Sequence, residues 1–84
     1  MHIQSPRQST TVPNDVVNLV FENGWSPARA WREHLNLTRA TIAKRMALPR
    51  NVVAQLEAPG IQLHAAACVK LATALGITRQ QISW

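Results

Sequence analysis

Acid is scarce in this chain: four Asp and Glu stand against nine Lys and Arg, a formal charge of +5 at pH 7. There is one cysteine, which excludes an internal disulfide and fits a reducing compartment. Long apolar runs are missing too. The longest, Val16–Val17, Leu19–Phe21 and Ala65–Val69, fall far short of the ~20 residues that cross a bilayer. The opening Met1-His2-Ile3-Gln4 has neither a basic nor an apolar signal region, so a cytoplasmic protein that does not engage membranes is expected. Only three glycines are present, and no Gly-rich run cradles a phosphate. Four acids, three scattered histidines and one cysteine form no nucleophile–base pair, so no enzyme activity and no cofactor are expected.

What is present is a modest apolar inventory and a skewed distribution of positive charge. With 84 residues, 46% of them hydrophobic, the chain supports one core and one domain. From His34 onward there are six basic residues (Arg39, Lys44, Arg45, Arg50, Lys70, Arg79) and a single acid, Glu57. Residues 38–55 hold four of those bases and no acid. Such a stretch attracts a polyanion without regard to its sequence, although a solvated helix face has the same composition.

Residues 1–12, rich in Ser, Thr, Gln and Pro with no apolar period, read as a mobile arm preceding one domain over 13–84. Pro13 is suited to open a helix, and Pro13, Val16, Val17, Val20 and Phe21 share one helical face up to a stop at Gly24. Ser26-Pro27 is a hydroxyl cap followed by proline, opening a helix that runs to about Asn36. Thr38 caps the next, whose apolar stripe is Ile42, Ala43 and Met46. Pro49 restarts a short helix with Val52 or Val53 and Leu56 inward. Ala58-Pro59-Gly60 is a loop. A further helix spans about Gln62 to Leu75, stopped by Gly76, and Thr78 caps a last turn through Ile82. No useful strand alternation appears. The prediction is an all-helical fold.

Two short helices separated by Ala47-Leu48-Pro49 suit a helix-turn-helix over about Thr38 to Glu57. That motif needs a small residue on the first helix for close crossing, met by Ala43, and apolar residues on the second, met by Val53 and Leu56. It also needs a polar, exposed start to the second helix, which Arg50, Asn51 and Gln55 supply. Three blocks then resemble the XRE or lambda-repressor-like family. Leu37-Thr38-Arg39-Ala40-Thr41-Ile42-Ala43-Lys44-Arg45-Met46 is similar to its first motif helix, and Arg50-Asn51-Val52-Val53-Ala54-Gln55-Leu56-Glu57 to its recognition helix. Lys70-Leu71-Ala72-Thr73-Ala74-Leu75-Gly76-Ile77-Thr78 is similar to its closing segment, and the likeness extends over about Ser26 to Ile82.

The resemblance implies a bundle of five core helices, here with an extra N-terminal helix, and sequence-specific binding of duplex operator DNA. It places Arg50, Asn51 and Gln55 at base-reading positions, consistent with Arg pairing to guanine and Asn or Gln to adenine. Thr38, Arg39 and Gly60 fall where the family meets phosphate. Arg32 and Glu57 match an internal ion pair, a structural role. Two departures stand out. Ala47 occupies a turn position usually held by Gly, where φ is often positive, and Pro49 replaces the hydroxyl cap of the recognition helix.

Short half-sites imply a homodimer on an inverted repeat, with the C-terminal helix and Trp84, or the N-terminal helix and arm, as the contact. A chain this short leaves no room for an activating domain, so repression is the expected effect. Val12–Val17 and Ser26–His34 are also similar to the front end of compact antitoxins, implying an autorepressor with a cognate toxin as partner. A phage- or plasmid-type repressor without a toxin and a non-specific nucleic-acid-binding protein are the alternatives. His64 and Cys68 sit four apart, yet no third ligand accompanies them, so no metal site is expected and Cys68 reads as a small core hydrophobe. Trp31 reads as core, Trp25 as packing between the first two helices, and Trp84 as a core lid or a subunit contact.

Overall fold

In the computed structural model, which describes residues 11–84, all regular structure is helical. Six helices follow in order: α1 (Asn14–Asn23), α2 (Pro27–His34), α3 (Arg39–Met46), α4 (Arg50–Leu56), α5 (Ala65–Leu75) and α6 (Arg79–Ile82). None is long and apolar enough to cross a membrane. Residues 1–10 of the arm expected from sequence lie outside the described residues; Val12, at its end, packs against the core.

Local chemistry sets most of the boundaries. Ser26 Oγ accepts the Arg29 amide at 3.2 Å and Thr38 Oγ1 accepts the Thr41 amide at 3.1 Å, each satisfying a first-turn donor of its helix. Thr78 and Gln81 form a reciprocal cap on α6, the Gln81 amide reaching Thr78 Oγ1 and the Thr78 amide reaching Gln81 Oε1. At the other ends, α2, α3 and α5 each close on a left-handed residue: Asn36, Ala47 and Gly76. In all three the next amide bonds five residues back, Leu37 to Arg32, Leu48 to Ala43 and Ile77 to Ala72, at 2.9–3.0 Å.

Ala47 is the costly member of that set. At φ 56° and ψ 42° its Cβ crowds the following carbonyl, a penalty of about 1–2 kcal/mol for an L-residue. Glycine would remove the clash while adding freedom to the unfolded chain, worth about 0.4–1 kcal/mol in the opposite direction. We expect Ala47→Gly to stabilise by about 0.5–1 kcal/mol. Urea unfolding with an unchanged m-value is the measurement, and a lower midpoint would contradict the left-handed assignment.

The core runs through all six helices. Val16, Ile42, Val53 and Leu71 are fully buried, each contributing roughly 1.5–3 kcal/mol by leaving water. Ala28, Ala30, Trp31, Ala43, Ala72, Ala74, Leu75 and Ile82 complete the buried cluster, with Leu56, Leu63 and Met46 partly buried against it. The small residues let α2, α3 and α5 approach closely, and Val53 is the valine of α4 that points inward. Cys68 is buried on α5, and among the described residues no three potential metal ligands converge.

Two elements differ from their sequence reading. Phe21 shares a helical face with Val16 and Val20 in a helical projection, yet it is 77% exposed; α1 instead packs through Val16, Leu19 and Val20. Residues 61–64 do not join α5. His64 is extended (φ −63°, ψ 155°) and acts as the cap, and the non-helical segment carries Leu63 onto the core.

Candidate nucleic-acid interface

α3 and α4 are joined by Ala47-Leu48-Pro49 and pack against each other, with Ile42, Ala43 and Val53 buried in the common core. Burying Val53 and half-burying Leu56 fixes which face of α4 is left over. Arg50, Asn51 and Gln55 are all exposed, and none of their side chains hydrogen-bonds to another described residue. Thr38, Arg39, Ala40, Arg50, Asn51 and Ala54 line a shallow groove between the start of α3 and the start of α4. Gln55 lies outside that groove, further along the exposed face.

The orientation of α4 is held from behind by one carboxylate. Glu57, 2% exposed, caps the end of α4 and is engaged by two guanidinium groups. Arg32 Nε of α2 donates to Oε2 at 2.7 Å and Arg39 Nε of α3 donates to Oε1 at 2.9 Å. Its backbone carbonyl accepts Ser26 Oγ at 2.8 Å. Arg32 also donates through Nη1 to the Leu37 carbonyl at 2.9 Å. One residue therefore ties the end of α4 to α2 and to α3, with charge-assisted bonds that satisfy both carboxylate oxygens.

The partners of Arg39 define what it can do. Its Nε is committed to Glu57, but the side chain is 40% exposed and makes no other hydrogen bond with the described residues. It can therefore present its remaining donors to an anion in the groove while bracing α4. Thr38 has its Oγ1 engaged by the Thr41 amide and close to Thr41 Oγ1 (3.0 Å), so its first task is capping. Gly60 stands apart on the loop after α4, exposed and at φ 78°, which by itself accounts for the glycine.

Charge is segregated over this surface. Lys44, Arg45 and Arg50 are exposed on α3 and α4, while Glu57, the one acid between residues 34 and 84, is buried and paired. The other three acids, Asp15, Glu22 and Glu33, all lie on α1 and α2. A stretch of α3 and α4 thus carries positive charge with no exposed carboxylate of its own.

Two contacts escape sequence reasoning. Arg45 Nη1 donates to the Ala74 carbonyl at 2.8 Å, closing the end of α5 with a side chain 29 positions away. Arg39 and Glu57 are 18 positions apart, and no local pattern announces their pairing. Comparison with protein-family models, with characterised proteins and with solved structures found no match to this chain.

Proposed function

We propose that this protein binds duplex DNA in a sequence-selective way, with α3 and α4 acting as a helix-turn-helix and α4 entering the major groove. The observation that carries the proposal is the pairing of a buried Val53 with exposed Arg50, Asn51 and Gln55, which hydrogen-bond through their side chains to no other described residue, on one seven-residue helix. Their donors and acceptors suit base edges: Arg for guanine, Asn and Gln for adenine. Arg39, Thr38 and the basic residues around them would hold the backbone and set register. The resemblance to XRE-type repressors in the three sequence blocks supports the same reading.

One helix of this length reads a short half-site, so a homodimer on an inverted repeat belongs to the proposal. An apolar groove supports it. Leu56, Ile61, Leu63, Cys68, Ile82 and Trp84 line it beside the polar Ser26, Gln62 and Ser83, with Ile61 and Trp84 about 40% exposed and no charged residue among the described lining. Two copies can meet there without opposing like charges. In a cell the consequence would be repression, and on the antitoxin resemblance autorepression with a cognate toxin; co-purification with the product of a neighbouring reading frame tests that partner.

The decisive experiment is selection from random duplexes at fixed salt. An enriched inverted repeat is the expected result, and an unenriched pool with a steep salt dependence alone would leave only non-specific binding. Arg50→Ala or Gln55→Ala should then reduce discrimination against a mismatched site by ~1–3 kcal/mol, roughly five- to 150-fold, with unchanged thermal stability. Equal losses on matched and random duplexes would reassign these residues to phosphate.

A further inference from the structure

We propose that this protein also associates head to tail with further copies of itself, the exposed face of α1 docking into a groove between α3 and α5. This contact is separate from the uncharged groove assigned to the dimer and does not depend on DNA binding.

The donor surface is the outer face of α1. Phe21 stands 77% exposed, an unusual position for a phenylalanine in a core this small. Asp15 and Glu22, seven residues apart, form an exposed stripe roughly 100–120° round the helix from Phe21, and neither has an ion-pair partner among the described residues. The outer surface of α1 therefore offers one aromatic ring with both carboxylates to one side of it.

The receiving surface has the opposite character. A groove of about 450 Å³ is formed by Arg45 and Met46 at the end of α3 and by Val69, Lys70 and Thr73 on α5. Val69 is 47% exposed, so the floor is apolar and unfilled. Lys70 has no ion-pair partner among the described residues, and Arg45 is held in place by its bond to the Ala74 carbonyl.

Charge decides how copies can combine. Groove against groove would oppose Arg45 and Lys70 with themselves, and α1 against α1 would oppose Asp15 and Glu22 with themselves. Only the unlike pairing places carboxylate beside ammonium or guanidinium next to a buried ring. That contact uses two different patches per chain, so it is heterologous and continues from copy to copy unless the rotation closes a ring.

Sedimentation velocity over a wide concentration range, without DNA, tests the proposal. The weight-average mass of the wild type should keep rising past the dimer at low salt and fall back as salt screens the contact. Phe21→Ser, Glu22→Lys and Lys70→Glu should each raise the apparent dissociation constant of this step about tenfold or more, with unchanged helix content by circular dichroism. An equimolar mixture of Glu22→Lys and Lys70→Glu should recover association that neither shows alone, because each supplies the surface the other lacks. The proposal is overturned if the wild type levels off at monomer or dimer. It is equally overturned if the mixture is no heavier than its components, which is the outcome for like-with-like pairing or for a different occupant of either face.

Discussion

Replacing Glu57 by alanine should destabilise the protein by ~3–5 kcal/mol, the usual consequence of stranding a buried charge. A domain of this length has roughly 4–12 kcal/mol in total, so the loss is a large share of it. At about 4–8 °C per kcal/mol the melting temperature should drop by roughly 12–40 °C, read by far-UV circular dichroism. The asymmetry between the two arginines says where the cost arises. The Arg32 side chain is 7% exposed and would keep only the longer, 3.4 Å contact to Glu33 as counter-charge to its desolvated guanidinium, whereas Arg39, at 40%, can turn to water. Arg39→Ala should therefore cost only about 1 kcal/mol of stability, within the range of partly exposed pairs. Any DNA affinity lost on Glu57→Ala should return when the protein is assayed well below its melting point. A cold, folded Glu57→Ala protein that still failed to bind would move Glu57 from bracing α4 to the interface itself.

The second large effect is expected at Trp31. It is 4% exposed, lies in the core beside α6, and donates its indole N–H to the Gln81 carbonyl at 2.7 Å. Trp31→Ala should cost ~3–5 kcal/mol, through lost burial and the void left behind. The carbonyl itself would not be orphaned, because the Trp84 indole donates to the same oxygen, also at 2.7 Å. That shared acceptor makes a contrast within one experiment. Trp84 is 44% exposed, and its removal leaves Gln81 still served by Trp31. Trp84→Ala should cost no more than about 1 kcal/mol in the isolated chain, near the net worth of one hydrogen bond. Urea midpoints for the two variants measure the difference, and comparable losses would show that the terminal tryptophan belongs to the core.

Much of the helical framework is legible in the sequence because its signals are local. Ser26 before Pro27, Thr38, and Thr78 with Gln81 announce helix starts by satisfying amides within a turn, and Gly24 and Gly76 supply left-handed ends. What escapes is decided by distant partners. Leu19 and Phe21 flank the Val16–Val20 stripe of α1 from opposite sides, and the position of α2 selects between them; Leu19 turns in and Phe21 out. Gln62 to His64 have ordinary helix-compatible residues, yet they stay out of α5, with Leu63 packed against the core. The exposed face of α4 is readable from the spacing of Val53 and Leu56. Of its bracing, only the Arg32–Glu57 pair is anticipated, and that through the family resemblance; the bonds from Ser26 and Arg39 to Glu57 span 31 and 18 positions with no local signal.

The outward residues of α4 carry a consequence for how this protein could change its target. Arg50, Asn51 and Gln55 contribute nothing to the core and bond to no described neighbour. Substitutions there should alter folding by no more than about 0.5 kcal/mol. The scaffold is in that sense indifferent to what it displays. On the proposed reading, new specificities could be written into three positions without renegotiating the fold beneath them.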